Sequence, residues 1–265
     1  MQRDIRSLLE GLETTHRRLG RLLAGLEEGA WTAAVPATPG WQVGDVVSHL
    51  AEGDRAALAV ATGQPLAATV GGDPAASSID QWTAAQTAAH ASEGPTARLQ
   101  TWEAATDAWR WHLAALEEDG WRQRVPWVLG TITMRSLAQL RLNEAWVHGH
   151  DIAEAVGTGF EPDQGTLAWL SDLAARVIPG GLSRHGRAHP GAAISVRLGA
   201  AGEWLVGGAS GERPEPGREP DLVLEAEPVA FVLRAAGRNR DDEPWRASGD
   251  QRLAADVAAT ISSVG

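Results

Sequence analysis

The chain of 265 residues contains no cysteine. This excludes disulfides, thiolate metal ligands and a protein thiol nucleophile, so any sulfur chemistry would need a thiol supplied from outside. Lysine is absent too: all 23 cationic side chains are arginines, which points to genome composition more than to function. No run of about 18 apolar residues occurs, so no segment reads as a membrane-spanning helix. The N-terminal MQRDIRSLLEGLE is charged and amphipathic, unlike a signal peptide. An excess of positive charge is also missing. A net charge of −11 and a pI near 5.2 argue against nucleic acid as a partner, because binding phosphates needs a basic face. The expectation is a soluble cytoplasmic protein acting on small molecules.

Hydrophobic residues make up 43% of the chain, enough for one large core or two ordinary ones. Helical periodicity dominates the first 157 positions. Ile5, Leu8, Leu12, Leu19, Leu23 and Leu26 form a stripe over residues 4–28. A second helix is predicted over residues 43–61, with Val43, Val46, Val47 and Leu50 inward. A third is predicted over 95–118, with Pro95 suited to its first turn. The fourth runs from Met134 to about Gly157, where Gly157 supplies the stop. Between them, 63–92 reads as a loop with a short helix around 79–90, and Trp121 to Gly130 as a turn-rich connector. Four long helices with polar residues near the interior describe a four-helix bundle.

On the fourth helix Glu144 and His148 stand four residues apart, hence on one face, one turn from each other. A carboxylate and an imidazole so placed can bind one divalent cation if a third ligand is supplied. His150 points elsewhere. His49 lies close to the apolar stripe of the second helix, where it reads equally as a core histidine hydrogen-bonded to Asp45. His16 reads as a surface or satisfied core histidine, His90 as exposed, and His185 and His189 as loop residues without a role.

Two segments carry a family resemblance. PGWQVGDVVSHL resembles the P-G-W-x-V-x-D-V-x-x-H-L signature of the mycothiol-dependent maleylpyruvate isomerase family, within the DinB-like bundle superfamily. NEAWVHGHDIAEAVG resembles that family's E-x-x-x-H-x-x-D signature. The resemblance implies that His49, Glu144 and His148 bind a divalent metal, typically zinc, with mycothiol as thiol cosubstrate. Two imidazoles and one carboxylate suit zinc and leave a fourth position open, although nickel, iron or manganese would also be accepted. Asp45 and Asp151 are candidates for orienting the imidazoles.

Beyond Phe160 the pattern changes. A helix over 163–178 is followed by strand-like segments at 193–198, 203–206 and 221–225, a helix within AEPVAFVLRAAGR, and a terminal helix over 250–264. The expected fold class is therefore α+β. A DinB-like four-helix bundle, residues 1–158, precedes a smaller domain, 159–265, that resembles sterol-carrier-protein folds. In the family an Arg in a terminal G-R element of this domain is implicated in activity. Gly237-Arg238 fits it, Arg234 competes, and a helix-end cation is the plain alternative. The expected function is an isomerase or S-transferase in which the low-molecular-weight thiol attacks a small electrophilic, carboxylate-bearing substrate, as a monomer or homodimer. The alternatives are a metal enzyme that activates water without a thiol, and a non-catalytic metal- or ligand-binding protein.

Overall fold

A computed structural model describes residues 4–66, 83, 85, 88–128, 130–238 and 244–261. The chain divides into two compact units, Met1–Pro162 and Asp163–Gly265. The first is helical and the second combines helices with a four-stranded sheet, which is the α+β organisation expected from the sequence.

The first unit is built on four long helices among the described residues: α1 (Ile5–Ala24), α2 (Val43–Ala61), α3 (Pro95–Ala114) and α4 (Met134–Ala155). Helix α2 packs against α3 and α4, and α1 packs against the same two, so the four close a ring around one core. That core takes Leu8, Leu12, Leu19 and Leu23 from α1 and Val46, Val47 and Leu50 from α2. Trp102, Trp109 and Leu113 come from α3, and Leu137, Leu142, Trp146 and Ile152 from α4. Helices α1 and α3 each end four residues earlier than their periodicity predicts. In α1 the chain leaves the helix at Gly25, whose N–H still bonds Arg21 O and Leu22 O.

The connector before α4 is a β-hairpin, not a bare turn. Strands β1 (Arg124–Trp127) and β2 (Gly130–Thr133) pair antiparallel, with Gly130 at φ 110°. The hairpin delivers Thr133 to the N-cap of α4, where its hydroxyl oxygen accepts from the Ser136 N–H at 3.1 Å. At the other end Gly157 takes φ 71°, and Thr158 N–H reaches back to Ala153 O at 2.8 Å. This is the Schellman closure that the glycine predicted. The expected helix around 79–90 falls largely outside the described residues.

In the second unit the sheet order is β4-β3-β5-β6, with β3 (Ala193–Arg197), β4 (Glu203–Gly207), β5 (Leu222–Ala226) and β6 (Trp245–Gly249). The β3–β5 pair is parallel and its flanking pairs are antiparallel. Strand β6 escapes sequence reading because only Trp245 in it is buried, so it shows no alternation. The helix expected over 163–178 is α5 (Gln164–Arg176), and a second, α6 (Ile178–Arg184), follows it directly. Pro179, Gly180 and Gly181 lie at the start of α6, where proline needs no N–H partner. Helices α7 (Pro228–Ala235) and α8 (Gln251–Thr260) complete the unit. No helix among the described residues is long and apolar enough to cross a membrane.

Candidate metal centre

The site is assembled from the middle of α2 and the C-terminal half of α4. His49 emerges from a stretch of α2 that is buried on nearly all sides, from Val46 to Ala51. Glu144 and His148 project from one face of α4, as their spacing requires. Packing α2 on α4 brings the three together. His49 Nε2 lies 3.4 Å from Glu144 Oε2, and His148 Nε2 lies 3.6 Å from the same oxygen. One ligand atom from each residue falls within 4.8 Å of the others. The two imidazoles meet edge to face, with ring centroids 5.2 Å apart.

The surroundings set the protonation of each group. Both histidines are buried, whereas the Glu144 side chain keeps 35% of its surface exposed and so forms the open side of the site. Burial pushes the His49 pKa below its ordinary value and outweighs the hydrogen bond to Glu144. Burial also works against the charged form of His148, but bonds to Asp151 and Glu144 overcome it and raise that pKa. Burial opposes ionisation of Glu144 as well, yet the bonds from His148 and His49 win and hold its carboxyl well below the usual range. Glu144 is therefore an anion at neutral pH, facing two imidazoles.

Asp151, fully buried, sits 3.0 Å from His148 Nδ1 through its Oδ2. Nδ1–H donating to that carboxylate fixes the ring's orientation; the protonated ring also donates from Nε2 toward Glu144, and with a cation bound the Nε2 lone pair would be free to ligate it. Asp45 is engaged elsewhere. Its Oδ2 accepts from Gln42 N–H at 3.0 Å, at the start of α2, and its Oδ1 accepts from Arg98 at 3.2 Å. Trp41 lies over the site, its ring 5.2 Å from that of His49. Trp127 packs on Ala56, and Trp146 is buried in the core.

The donor set fits a divalent cation. Two nitrogens and a carboxylate oxygen converge, one histidine is oriented by a buried carboxylate, and one side is open, which is the pattern of an open three-ligand site.

The other sequence candidates are dispersed. His16 is buried in the bundle with neither ring nitrogen hydrogen-bonded, and burial lowers its pKa to about 4. His90 is buried, contrary to expectation. It lies 3.0 Å from Glu52 and 2.9 Å from Glu93, while its backbone carbonyl accepts from Arg98. His189 pairs with Asp256 at 2.8 Å. In the second unit Gly237 has φ 80° and Arg238 N–H bonds Leu233 O at 2.8 Å, a Schellman closure of α7. The Arg238 guanidinium is half-buried and donates to Ala236 O. Arg234 is buried, with Nη2 on Ala258 O at 2.7 Å and its guanidinium 6.0 Å from the Trp245 ring centroid.

Sequence reading missed one buried cluster. Arg141 of α4 pairs with Asp54 of α2 at 2.8 Å, and Thr106 of α3 donates to Asp54 at 2.9 Å. The available signal was a charged residue at helical spacing within each apolar stripe: Asp54 four after Leu50, and Arg141 four after Leu137.

Two crystal structures of the mycothiol-dependent maleylpyruvate isomerase, one of them a histidine-to-alanine mutant, share the fold with TM-scores of 0.65 and 0.63. Sequence identity to them is 16% and 17%, and 93% of each chain is covered. Two uncharacterized proteins of Mycobacterium tuberculosis, one from each of two strains, are each 29% identical over 163 residues. The match spans 60% of this chain and 60% of those relatives' length. The profile of the mycothiol maleylpyruvate isomerase N-terminal domain matches residues 12–153, more than half of the chain and all three converging residues. The chain therefore belongs to the mycothiol maleylpyruvate isomerase family, by way of that N-terminal domain.

Proposed function

We propose that the protein is a thiol-dependent isomerase or S-transferase that acts on a small electrophilic carboxylate. In this reading His49, Glu144 and His148 hold one divalent metal, zinc by preference, and mycothiol is the thiol. The observation that carries it is the convergence of three metal-type donors in a chain with no cysteine, inside the domain that defines the family. A divalent cation at these ligands would lower the pKa of a coordinated thiol, making thiolate available at neutral pH. Reversible addition of thiolate to a conjugated double bond lets that bond rotate before the thiol leaves, and no protein sulfur is consumed. Retention of the adduct as product would make the same site a transferase.

The protein's own residues have distinct parts. Glu144 would offset part of the cation's charge, and it opens onto solvent, the side from which reactants would enter. Asp151 holds the His148 ring and its tautomer. Trp41 covers the His49 ring and restricts water there. Arg238, on the Gly237 turn, is assigned the substrate carboxylate, which a guanidinium holds with paired donors.

The test loads the protein with cobalt in place of zinc. One ion per chain is expected, His49→Ala and His148→Ala should each lose most of it, and added mycothiol should change the visible spectrum by sulfur ligation. Full metal content in both variants would remove the site. An unchanged spectrum at saturating thiol would favour a water-activating metal enzyme. Arg238→Ala should keep metal and fold and lose kcat/KM, by on the order of 2–4 kcal/mol for a lost charged contact.

A further inference from the structure

The buried Arg141–Asp54 pair lies about one turn along α2 and α4 from the three candidate ligands. Arg141 precedes Glu144 by three residues on α4, and Asp54 follows His49 by five on α2. Nε of Arg141 donates to Asp54 Oδ1 at 2.8 Å. Its Nη2 donates to the carbonyl of Leu50, the residue next to His49, at 3.2 Å. From α3 the Thr106 hydroxyl donates to the other Asp54 oxygen at 2.9 Å. The two charged side chains are only 4% and 3% exposed. The guanidinium fits because residue 53 is glycine: a Cβ there would stand 2.5 Å from Arg141 Nη1 and 2.7 Å from its Cζ. Arg141 thus lies in a notch in α2, gripping that helix by a side chain and by a backbone carbonyl one residue from a ligand.

Stability is a poor reason for such an arrangement. Desolvating two charges costs about what their attraction returns, and well-packed apolar replacements of a buried pair are often neutral or stabilising. What the pair supplies is direction. Its hydrogen bonds are satisfied at one rotation and one height of α2 against α4, whereas apolar packing tolerates several. His49 Nε2 meets Glu144 Oε2 at 3.4 Å in that one setting. A one-residue rise of about 1.5 Å along a helix, with its turn of about 100°, would take the imidazole off the site.

We infer that Arg141 and Asp54, with the notch at Gly53, are positioning residues that set the register of α2 on α4 and so bring His49 to Glu144 and His148. The inference rests on the metal reading above.

The test separates geometry from stability. The double variant Asp54→Leu/Arg141→Met replaces the pair by apolar side chains, and Gly53→Ala keeps both charges but fills the notch. Cobalt affinity is measured by chelator competition on the full-length protein, beside the visible spectrum and the melting temperature. Leu8→Ala, a core truncation on α1, serves as a stability control. The double variant should melt at or above the wild-type temperature, yet both test variants should bind cobalt at least tenfold more weakly with an altered ligand-field spectrum. Leu8→Ala should melt lower and bind cobalt within twofold of wild type. Wild-type cobalt affinity and spectrum in Gly53→Ala and in the double variant would overturn the inference while leaving the metal site intact. A wild-type protein that binds no cobalt would overturn both, and His148→Ala in the same series tells the two failures apart.

Discussion

The two units treat charge in opposite ways. The helical unit takes titratable groups into its core: His16, His49, Asp54, Arg141, His148 and Asp151 are all under 9% exposed. The α/β unit pairs most of its charges near the surface, as in Arg197 with Glu203 and Glu225, or Arg187 and His189 with Asp256. Buried charge is costly unless partnered, so it marks positions where something other than packing sets the residue. Surface pairs are screened and carry little information. The contrast directs attention to the bundle, where the three pKa shifts around Glu144 arise from burial and mutual contact. Arg234 and Asp172 are exceptions in the second unit, one a buried cation held by a backbone carbonyl, the other a buried carboxylate paired with Arg176 and accepting from Trp204.

The sharpest test of this contrast removes one member of a buried pair. Arg141→Ala strands Asp54 in the core, and the expected loss is about 3–5 kcal/mol of unfolding free energy. Urea denaturation measures it. A loss no larger than that of a surface truncation would mean that water reaches Asp54 and that the bundle is not dry.

Next in size is an acid-sensitive limb from His16. In the unfolded chain this imidazole takes a proton near pH 6.5, but in the fold only near 4. Burial depresses the value, and the charges acting on it are Asp54, Arg110, Arg141 and Asp107. Between those pH values the unfolded state binds more protons, so stability falls as pH falls, by roughly 3 kcal/mol in all for this residue. His16→Leu should flatten that part of the pH–stability curve between about pH 7 and 4. An unchanged slope would show that His16 is not buried neutral.

A smaller loss is expected from Arg234→Ala. It leaves the Ala258 carbonyl without this donor and removes packing on Trp245, for about 1–3 kcal/mol. The melting transition of the second unit should register it, with metal content unchanged. The smallest effect belongs to Arg197→Ala. It breaks pairs to Glu203 and Glu225 in which each side chain is roughly half exposed, and the melting temperature should not move measurably. A clear drop there would erase the contrast between the units.

Local pattern alone was enough to place the four long helices and the candidate ligands on one of them. Apolar spacing placed α1 to α4, Gly157 ended α4 by its left-handed turn, and an i, i+4 offset put Glu144 and His148 on one face. These are local properties, fixed by backbone geometry within one or two turns. Signature resemblance then named His49 as their partner. Only the tertiary structure brought His49 Nε2 to 3.4 Å from Glu144, because that distance depends on how α2 lies on α4. It also buried His90, made a hairpin of Arg124 to Thr133, moved Asp45 to Arg98, and joined Arg141 to Asp54 across 87 residues of chain. Apart from the hairpin, these pairings close long loops, and the local pattern around either partner is that of any polar residue on a helix or turn. What decided them was the packing of apolar faces far apart in sequence, which leaves a buried charge only the partners that the fold happens to bring within reach.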